Sequence, residues 1–483
     1  MIEHENDNNI AEQPINSEKA SSEKASSEER SSEETTSGKT SADEKKKKAK
    51  KRKSNIRDSV IKGAVSCLLL LAFFWAGYLV SYFSIDGELR SLQFVYNTYK
   101  DNFFFYKDGV SPAKVLTEGL TDIYSEYYTA DEYKSELSAG KGERKGYGIV
   151  FNGLSVHRVS GNSPAEKANV KKGDKIVGYK INDGELVSVD TLAKLTAALS
   201  AASDNDLLTL CMERGAEQVE CVMRKADYRE SYVYYIDSEG CYRFNDDSGK
   251  MALGRFADCD LALAEDWGYI KYTSFYGQTD GTYGSVGQMT AALDQMFSNG
   301  KTKLIIDLRD NGGGFMDIMC KLSGVFCPRS SGTSGIAQTA EYRNGRMYSF
   351  NVNYSSAKNS KGDFYSDKLS EIVFLANQNS ASASEALMGA VLDYDNAAAT
   401  NKVRVVLDGF ASENGEIVYK TYGKGIMQST FVNNLTGEAL KLTTARIIWP
   451  LSGKCIHGEG ITVATDSRVY NAVGEIISFA QTL

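Results

Sequence analysis

The chain has 483 residues, 42% of them hydrophobic and 24% charged, with a net charge of -8. That is enough for two or three domains plus tails at ordinary globular composition, and the acidic balance argues against a nucleic-acid binder. The three histidines (His4, His157, His457) are far apart and the eight cysteines form no CxxC pair or zinc-like spacing, so no metal site is expected.

Residues 1–58 hold almost no large apolar side chains and repeat a short polar unit: SEKA, SSEKA, SSEER, SSEE. Such a segment cannot bury enough surface to offset the entropy of ordering, so a disordered tail is expected. Its 13 acidic and 13 basic residues cancel, but nine of the basic ones crowd into Lys45–Arg57. The next block, Gly63–Ile85, is 23 residues without a charge and includes Leu68, Leu69, Leu70, Leu71, Phe73, Phe74 and Trp75. At helical rise it spans about 34 Å, enough to cross the hydrocarbon core of a bilayer. Lysine and arginine flank only its N-terminal side. This predicts an uncleaved single-pass anchor over 59–85 in the cell membrane, with the tail cytoplasmic and everything after Asp86 outside.

Residues 86–142 show helical spacing at Leu89, Leu92, Val95 and Tyr96, and again at Val115, Leu116, Leu120, Ile123 and Tyr124. They read as a small helical module, a candidate element for homodimerisation. From Lys145 short alternating strands with glycine turns take over. KGYGIVF (145–151), NSPAEKANVKKGDKIVGY (162–179), a helical stretch with Leu192, Leu195 and Leu199, and the hairpin LLTLCMERGAEQVECVM (207–223) together resemble a PDZ domain over 143–226. The resemblance implies that the loop Gly146, Tyr147, Gly148, Ile149 receives the C-terminal carboxylate of a peptide, which is added as an extra strand. Cys211 and Cys221 flank the turn at Arg214, Gly215 and Ala216, and are the cysteine pair expected to face each other across strands.

In the remainder, 227–483, WGYIKYTSF (267–275) alternates as a strand, and Met289, Leu293 and Met296 follow at helical spacing. Within KTKLIIDLRDNGGGFMDIMCKLSGVF (301–326), Leu304, Ile305 and Ile306 form a buried strand and Phe315 opens a helix. Gly312–Gly314 between them lets the backbone approach a bound chain. There is neither a GxxxxGK nor a GxGxxG pattern, so an N–H of Gly313 suits a polarised carbonyl better than a phosphate.

EIVFLANQNSASASEALMGAVLDY (371–394) is a second strand–turn–helix corner, with a serine cluster on the turn. Backbone N–H groups at the start of that helix point out unpaired, with the positive end of the helix dipole behind them, where an oxyanion would be stabilised. In EIVYKTYGKGIMQSTF (416–431), Lys424 lies between two glycines, and in an extended segment it would share a face with Gln428. Burial disfavours a charged ammonium, which makes such a lysine a candidate general base.

LIIDLRDNGGG, NSASASE, YGKGIMQ, LKLTTAR (440–446) and IHGEGI (456–461), with IYSEYYTADEY (123–133) before them, occur in an order that resembles the C-terminal processing peptidases, or tail-specific proteases. The resemblance covers nearly everything from residue 87 onward. It implies an α/β crotonase-like serine peptidase core with a β-rich PDZ domain, preceded by the helical module and one transmembrane helix. It also implies Ser382, the middle serine of SASAS, as nucleophile, Lys424 as general base and Gln428 as the residue that orients the lysine. The oxyanion hole would use the N–H groups of Gly313 and Ala383, Ser380 and Ser384 would be structural, and no metal or organic cofactor would take part. Three departures stand out. Gly312 replaces the proline of the family's NPGG, and GITVATD (460–466) replaces its GIxPD. Ser382 and Lys424 are 42 residues apart, a wide gap that predicts an inserted loop within Asn396–Asn414. The expected function is a membrane-anchored, extracytoplasmic serine endopeptidase that takes protein or peptide substrates by their C-termini; the alternative is an inactive PDZ scaffold that only binds peptides.

Overall fold

A computed structural model describes residues 39–84, 86–106, 122–245, 248–254, 256, 259–279, 281–328 and 335–483, with backbone only for 39–58. Among the described residues the chain divides into two units, 39–94 and 95–483.

In the first unit one unbroken helix runs Lys39–Ser84, and its Ser59–Ser84 portion, with mean hydropathy 2.1, is long and apolar enough to cross a bilayer; a second helix, Gly87–Asn102, starts after it, as the spacing of Leu89, Leu92, Val95 and Tyr96 predicts. The expected disorder of 1–38 lies outside the described residues. From Lys39 the backbone is helical, unlike the unstructured tail expected there. Lysine, arginine, alanine and glutamate are strong helix formers, and extending a helix already nucleated by the apolar block costs far less than starting one.

The larger unit is built on an eight-stranded sheet. Its strand order is Lys250–Leu253, Gly240–Asn245, Val233–Asp237, Trp267–Tyr272, Lys303–Asp307, Glu371–Ala376, Val403–Leu407 and Val469–Asn471. The first four are antiparallel neighbours and the last five are parallel. The central parallel strands are buried on both faces, which is why Leu304, Ile305 and Ile306, and Ile372 to Ala376, read as unbroken apolar runs. Helices Ser285–Ser298, Met316–Phe326 and Ala383–Ala398 bring their apolar faces to the main core. Because Asp307 pairs with Leu375, the loops that leave these two adjacent strands emerge side by side.

A second sheet centres on Ala439–Ile448. Ile426–Val432 pairs with it, as do Glu126–Tyr128 and Ile336–Tyr342. Residues 122–140 are therefore part of this packed body: Glu126–Tyr128 is a strand of that sheet, and Phe315 lies against Gly140 in the helix Ala130–Gly140. The helical spacing at Val115, Leu116 and Leu120 lies outside the described residues. The stretch Asn396–Asn414 holds the end of a helix, the core strand Val403–Leu407 and the start of a short hairpin, Phe410–Ala411 with Ile417–Val418.

Residues 149–223 form a six-stranded sheet with a core of its own around Val156, Ile176, Leu195, Leu208 and Leu210. It is closed off by Glu143–Gly146 paired with Ala226–Arg229. The hairpin turns at Gly215 and Ala216, but Cys211 lies opposite Glu220 and Cys221 opposite Leu210. That one-residue offset sends the two thiols to opposite faces, so the expected facing pair does not form. Cys211 and Cys221 are both free thiols.

Candidate active site

Two strand–loop–helix corners meet at the carboxyl edge of the parallel strands. In the first, Asp307 is fully buried against Tyr269, whose hydroxyl donates at 2.7 Å, and against the Arg309 guanidinium, also at 2.7 Å. The loop then turns through Asn311, whose side chain donates to Tyr272 O at 2.8 Å and accepts the Gly313 N–H at 2.9 Å. Gly313 has φ +97°, and a Cβ there would lie 2.8 Å from both Ala381 O and Ala383 N, so only glycine lets this loop sit against the second corner.

In the second corner Ser382 is the N-cap of the helix Ala383–Ala398, with φ 56° and ψ -116°. A serine on the left-handed side of φ is a strained conformation that persists only where its surroundings hold it. What holds it is Glu385. One carboxylate oxygen, Oε2, accepts the N–H of Ser382 at 3.0 Å and of Lys424 at 2.9 Å. The other, Oε1, accepts the Gly423 N–H at 2.8 Å and the Thr421 hydroxyl. Glu385 is completely buried, and burial raises its carboxyl above the ordinary value against the pull of these four donors.

The flanking serines stitch the corners together. Ser380 Oγ donates to Leu308 O at 2.8 Å and Ser384 Oγ to Asn311 O at 2.9 Å. Ala381 N donates to the same Asn311 carbonyl at 3.0 Å.

Lys424 sits in the irregular segment before Ile426–Val432. Burial, assisted by the positive charge of Lys441, lowers its ammonium to about 8, while Asp122 and Glu385 pull the other way. Its Nζ lies 4.2 Å from the centre of the Tyr124 ring. Ser382 and Lys424 line one narrow cleft with Met427, Ile447 and Trp449, with about 20 Å³ of open volume, room for roughly one water-sized group. Among the described residues no hydrogen bond joins Ser382 Oγ to Lys424 Nζ. Trp449 packs onto the helix at Gly389, where a Cβ would lie 2.1 Å from the indole.

Ala383, the first residue of the helix, lies beside Ser382 and Gly313. Gln428 is buried and donates to Thr443 Oγ1 at 3.0 Å. A bulge between Met427 and Gln428 breaks the alternation that would put it on one face with Lys424. His457 is close by, its backbone against Gly425; burial lowers its imidazole, and among the described residues Nδ1 has no hydrogen-bond partner. Gly146, Tyr147, Gly148 and Ile149 belong to the six-stranded body and do not line this cleft. Gly146 pairs with Ala226, the Tyr147 and Gly148 carbonyls accept from Ala165 and Ser160, and Ile149 opens a strand that, among the described residues, pairs only with Ser155–Val159.

Glu385 and Tyr124 are the residues that sequence reasoning missed. For Glu385 the signal was present, since Ser382-x-x-Glu385 is the capping-box spacing. No local signal marks Tyr124, which reaches Lys424 from 298 positions before its hydrogen-bond partner Tyr422.

A peptidase family S41 profile matches residues 266–400, which carry both corners up to the end of the Ser382 helix. Over 401 residues the chain is 25% identical to a CtpA-like serine protease of Staphylococcus aureus (strain N315), covering 81% of this chain and 67% of that protein. The chain is a serine peptidase similar to family S41. A CtpA-like serine protease of Staphylococcus saprophyticus is 25% identical to this peptidase over 385 residues, or 78% of the chain and 64% of the relative. Among solved structures, a photosystem II D1 C-terminal processing protease aligns at 17% identity and TM-score 0.46, over 78% of this chain and 92% of that one. An S41 protease from Bacteroides fragilis NCTC 9343 aligns at 15% identity and TM-score 0.49, over 78% and 90%.

Proposed function

We propose that this serine peptidase cleaves peptide bonds with Ser382 as nucleophile and Lys424 as general base. The observation that carries the reading is that these two side chains, one on a strained helix N-cap and one with a depressed ammonium, line the same narrow cleft. Neutral Lys424 takes the proton from Ser382 Oγ as that oxygen attacks the substrate carbonyl, and returns it to the leaving amine; water then hydrolyses the acyl-enzyme by the same route. The oxyanion is held by the Ala383 N–H and by the Gly313 N–H, which exchanges its Asn311 acceptor for the substrate oxygen. Gln428 acts through Thr443 and the neighbouring sheet rather than by direct contact with the lysine.

Ser59–Ser84 anchors the chain in a membrane, with the basic tail on the cytoplasmic side and the peptidase outside. The 143–226 body, as a PDZ domain, adds a substrate's C-terminal tail along the open edge of Ile149–Asn152. Its segment 143–226 is then expected to bind peptides with a free C-terminus far more tightly than their amidated forms, and protease added to spheroplasts is expected to reach the body but not the tail.

The deciding experiment is turnover of labelled casein by Ser382→Ala and Lys424→Arg. Arginine keeps its charge at any working pH, so both variants are expected to lose at least about a thousandfold in activity. The base works only when neutral, so wild-type kcat/KM rises with pH through an inflection near 8. Normal cleavage by Ser382→Ala, or by Lys424→Arg, removes the assignment.

A further inference from the structure

The lysine has a roof. Among the described residues, Lys424 Nζ makes no hydrogen bond and no ion pair; its close partner is the face of the Tyr124 ring, 4.2 Å away. That ring is delivered by a built turn. Asp122 Oδ1 accepts the N–H of Tyr124 at 2.8 Å and of Ser125 at 2.7 Å. The chain then enters Glu126–Tyr128 and pairs with the central strand of the second sheet, while Ser125 Oγ accepts the Thr443 N–H at 3.3 Å. At the far end of the ring, the Tyr124 hydroxyl donates to the Tyr422 hydroxyl at 3.0 Å, two residues before Lys424. The ring is thus held from the sheet on one side and from the lysine's own loop on the other.

Such an arrangement has a chemical consequence. When Lys424 accepts a proton in a water-poor cleft, an ammonium appears where hydrogen-bond partners are missing. The negative face of an aromatic ring attracts a cation and is nearly indifferent to a neutral amine, so it favours the protonated state that forms during the reaction. The other charged and titratable groups around the lysine are Asp122 on the turn, Glu385 on the Ser382 helix, Lys441 on the sheet and Tyr422 on its own loop. Asp122 and Glu385 favour the ammonium from a distance and Lys441 opposes it; neither carboxylate touches Nζ. Burial and the Tyr422 contact push the Tyr124 phenol above its ordinary value, so the ring is neutral at working pH and acts through its face.

We propose that Tyr124 is a positioning residue for Lys424, holding the amine under its ring face and stabilising the ammonium that forms when the lysine takes the serine proton. This rests on the Ser382–Lys424 reading. A ring that merely fills space would be replaced equally well by any side chain of similar bulk.

The test is the pH profile of casein cleavage by the full chain in detergent, for wild type, Tyr124→Phe and Tyr124→Leu. Phenylalanine keeps the face and loses only the hydroxyl contact, so its inflection is expected to stay with that of wild type. Leucine removes the face, so the ammonium is less stable and the inflection moves to lower pH by roughly half a unit to one unit, with kcat/KM on the plateau down about fivefold. Incorporation of 3,4,5-trifluorophenylalanine at 124 preserves shape, and hence folding, while emptying the ring face; it must reproduce the leucine shift. If the fluorinated profile matches that of Tyr124→Phe, or if the leucine inflection moves to higher pH because the ring only excluded water, the proposal is wrong. A dead Lys424→Arg with coincident profiles would remove Tyr124 alone, whereas an active Lys424→Arg would remove the base assignment itself.

Discussion

The two corners at the edge of the parallel sheet solve one problem in opposite ways. Both must turn sharply from a buried strand into a helix and bring backbone close to a bound chain. The first, Leu308–Gly314, needs no side chain at its tightest point, and glycine adopts the positive φ there without steric cost. The second, Asn377–Ser382, needs a hydroxyl at its tightest point, so a serine occupies the strained conformation and a buried carboxylate pins it. The difference teaches that strain is tolerated where a reactive side chain is required, and that the restraint then comes from a residue without a chemical role of its own.

The largest effect should come from erasing the difference at the first corner. Gly313→Ala puts a methyl against Ala381 O, Ala383 N and Ser382 Cβ at under 3 Å and at an unfavourable φ, so one oxyanion donor and the Ser382 geometry are lost together. Casein turnover should fall by roughly a thousandfold; a value within tenfold of wild type would show that the corners need not be this close.

Removing the restraint at the second corner should cost less. In Glu385→Gln, only one of the two oxygens that each take a pair of donors survives, and two N–H groups are left facing an amide. We expect about a hundredfold loss in kcat, with stability down by about 2 kcal/mol in denaturant titration. Unchanged kcat would mean that Ser382 holds its conformation unaided.

The smallest effects belong to the stitches between the corners. Ser380→Ala and Ser384→Ala each remove one buried hydrogen bond to the first loop, so Tm should drop with stability by about 1 kcal/mol while kcat/KM stays within about threefold. A dead Ser384→Ala of intact fold would point to the wrong serine as nucleophile.

Much of this site was legible as strings of residues. Ile372 to Ala376 and Leu304 to Ile306 are apolar because both faces of those strands are covered, and the glycines and serines mark the turns that follow. What sequence could not show was contact at long range. Glu385 announces a cap, but its bonds to Thr421, Gly423 and Lys424 span 36 to 39 positions and depend on how the loop docks. Tyr124 read as one position of a helical repeat, whereas it lies on a turn and its partner Tyr422 is on another element. Cys211 and Cys221 missed each other by one residue of register, a quantity that a hairpin pattern leaves open when the turn can close in two ways.

The contact between Gly389 and Trp449 carries a consequence for how such a cleft can change over evolutionary time. The indole forms part of the cleft wall, and the helix backbone behind it leaves no space for a single carbon atom. Gly389 is not among the residues lining the cleft, yet a methyl group there must push the indole aside and reshape the wall, so the range of side chains admitted beside Ser382 can drift through a residue one layer behind the chemistry.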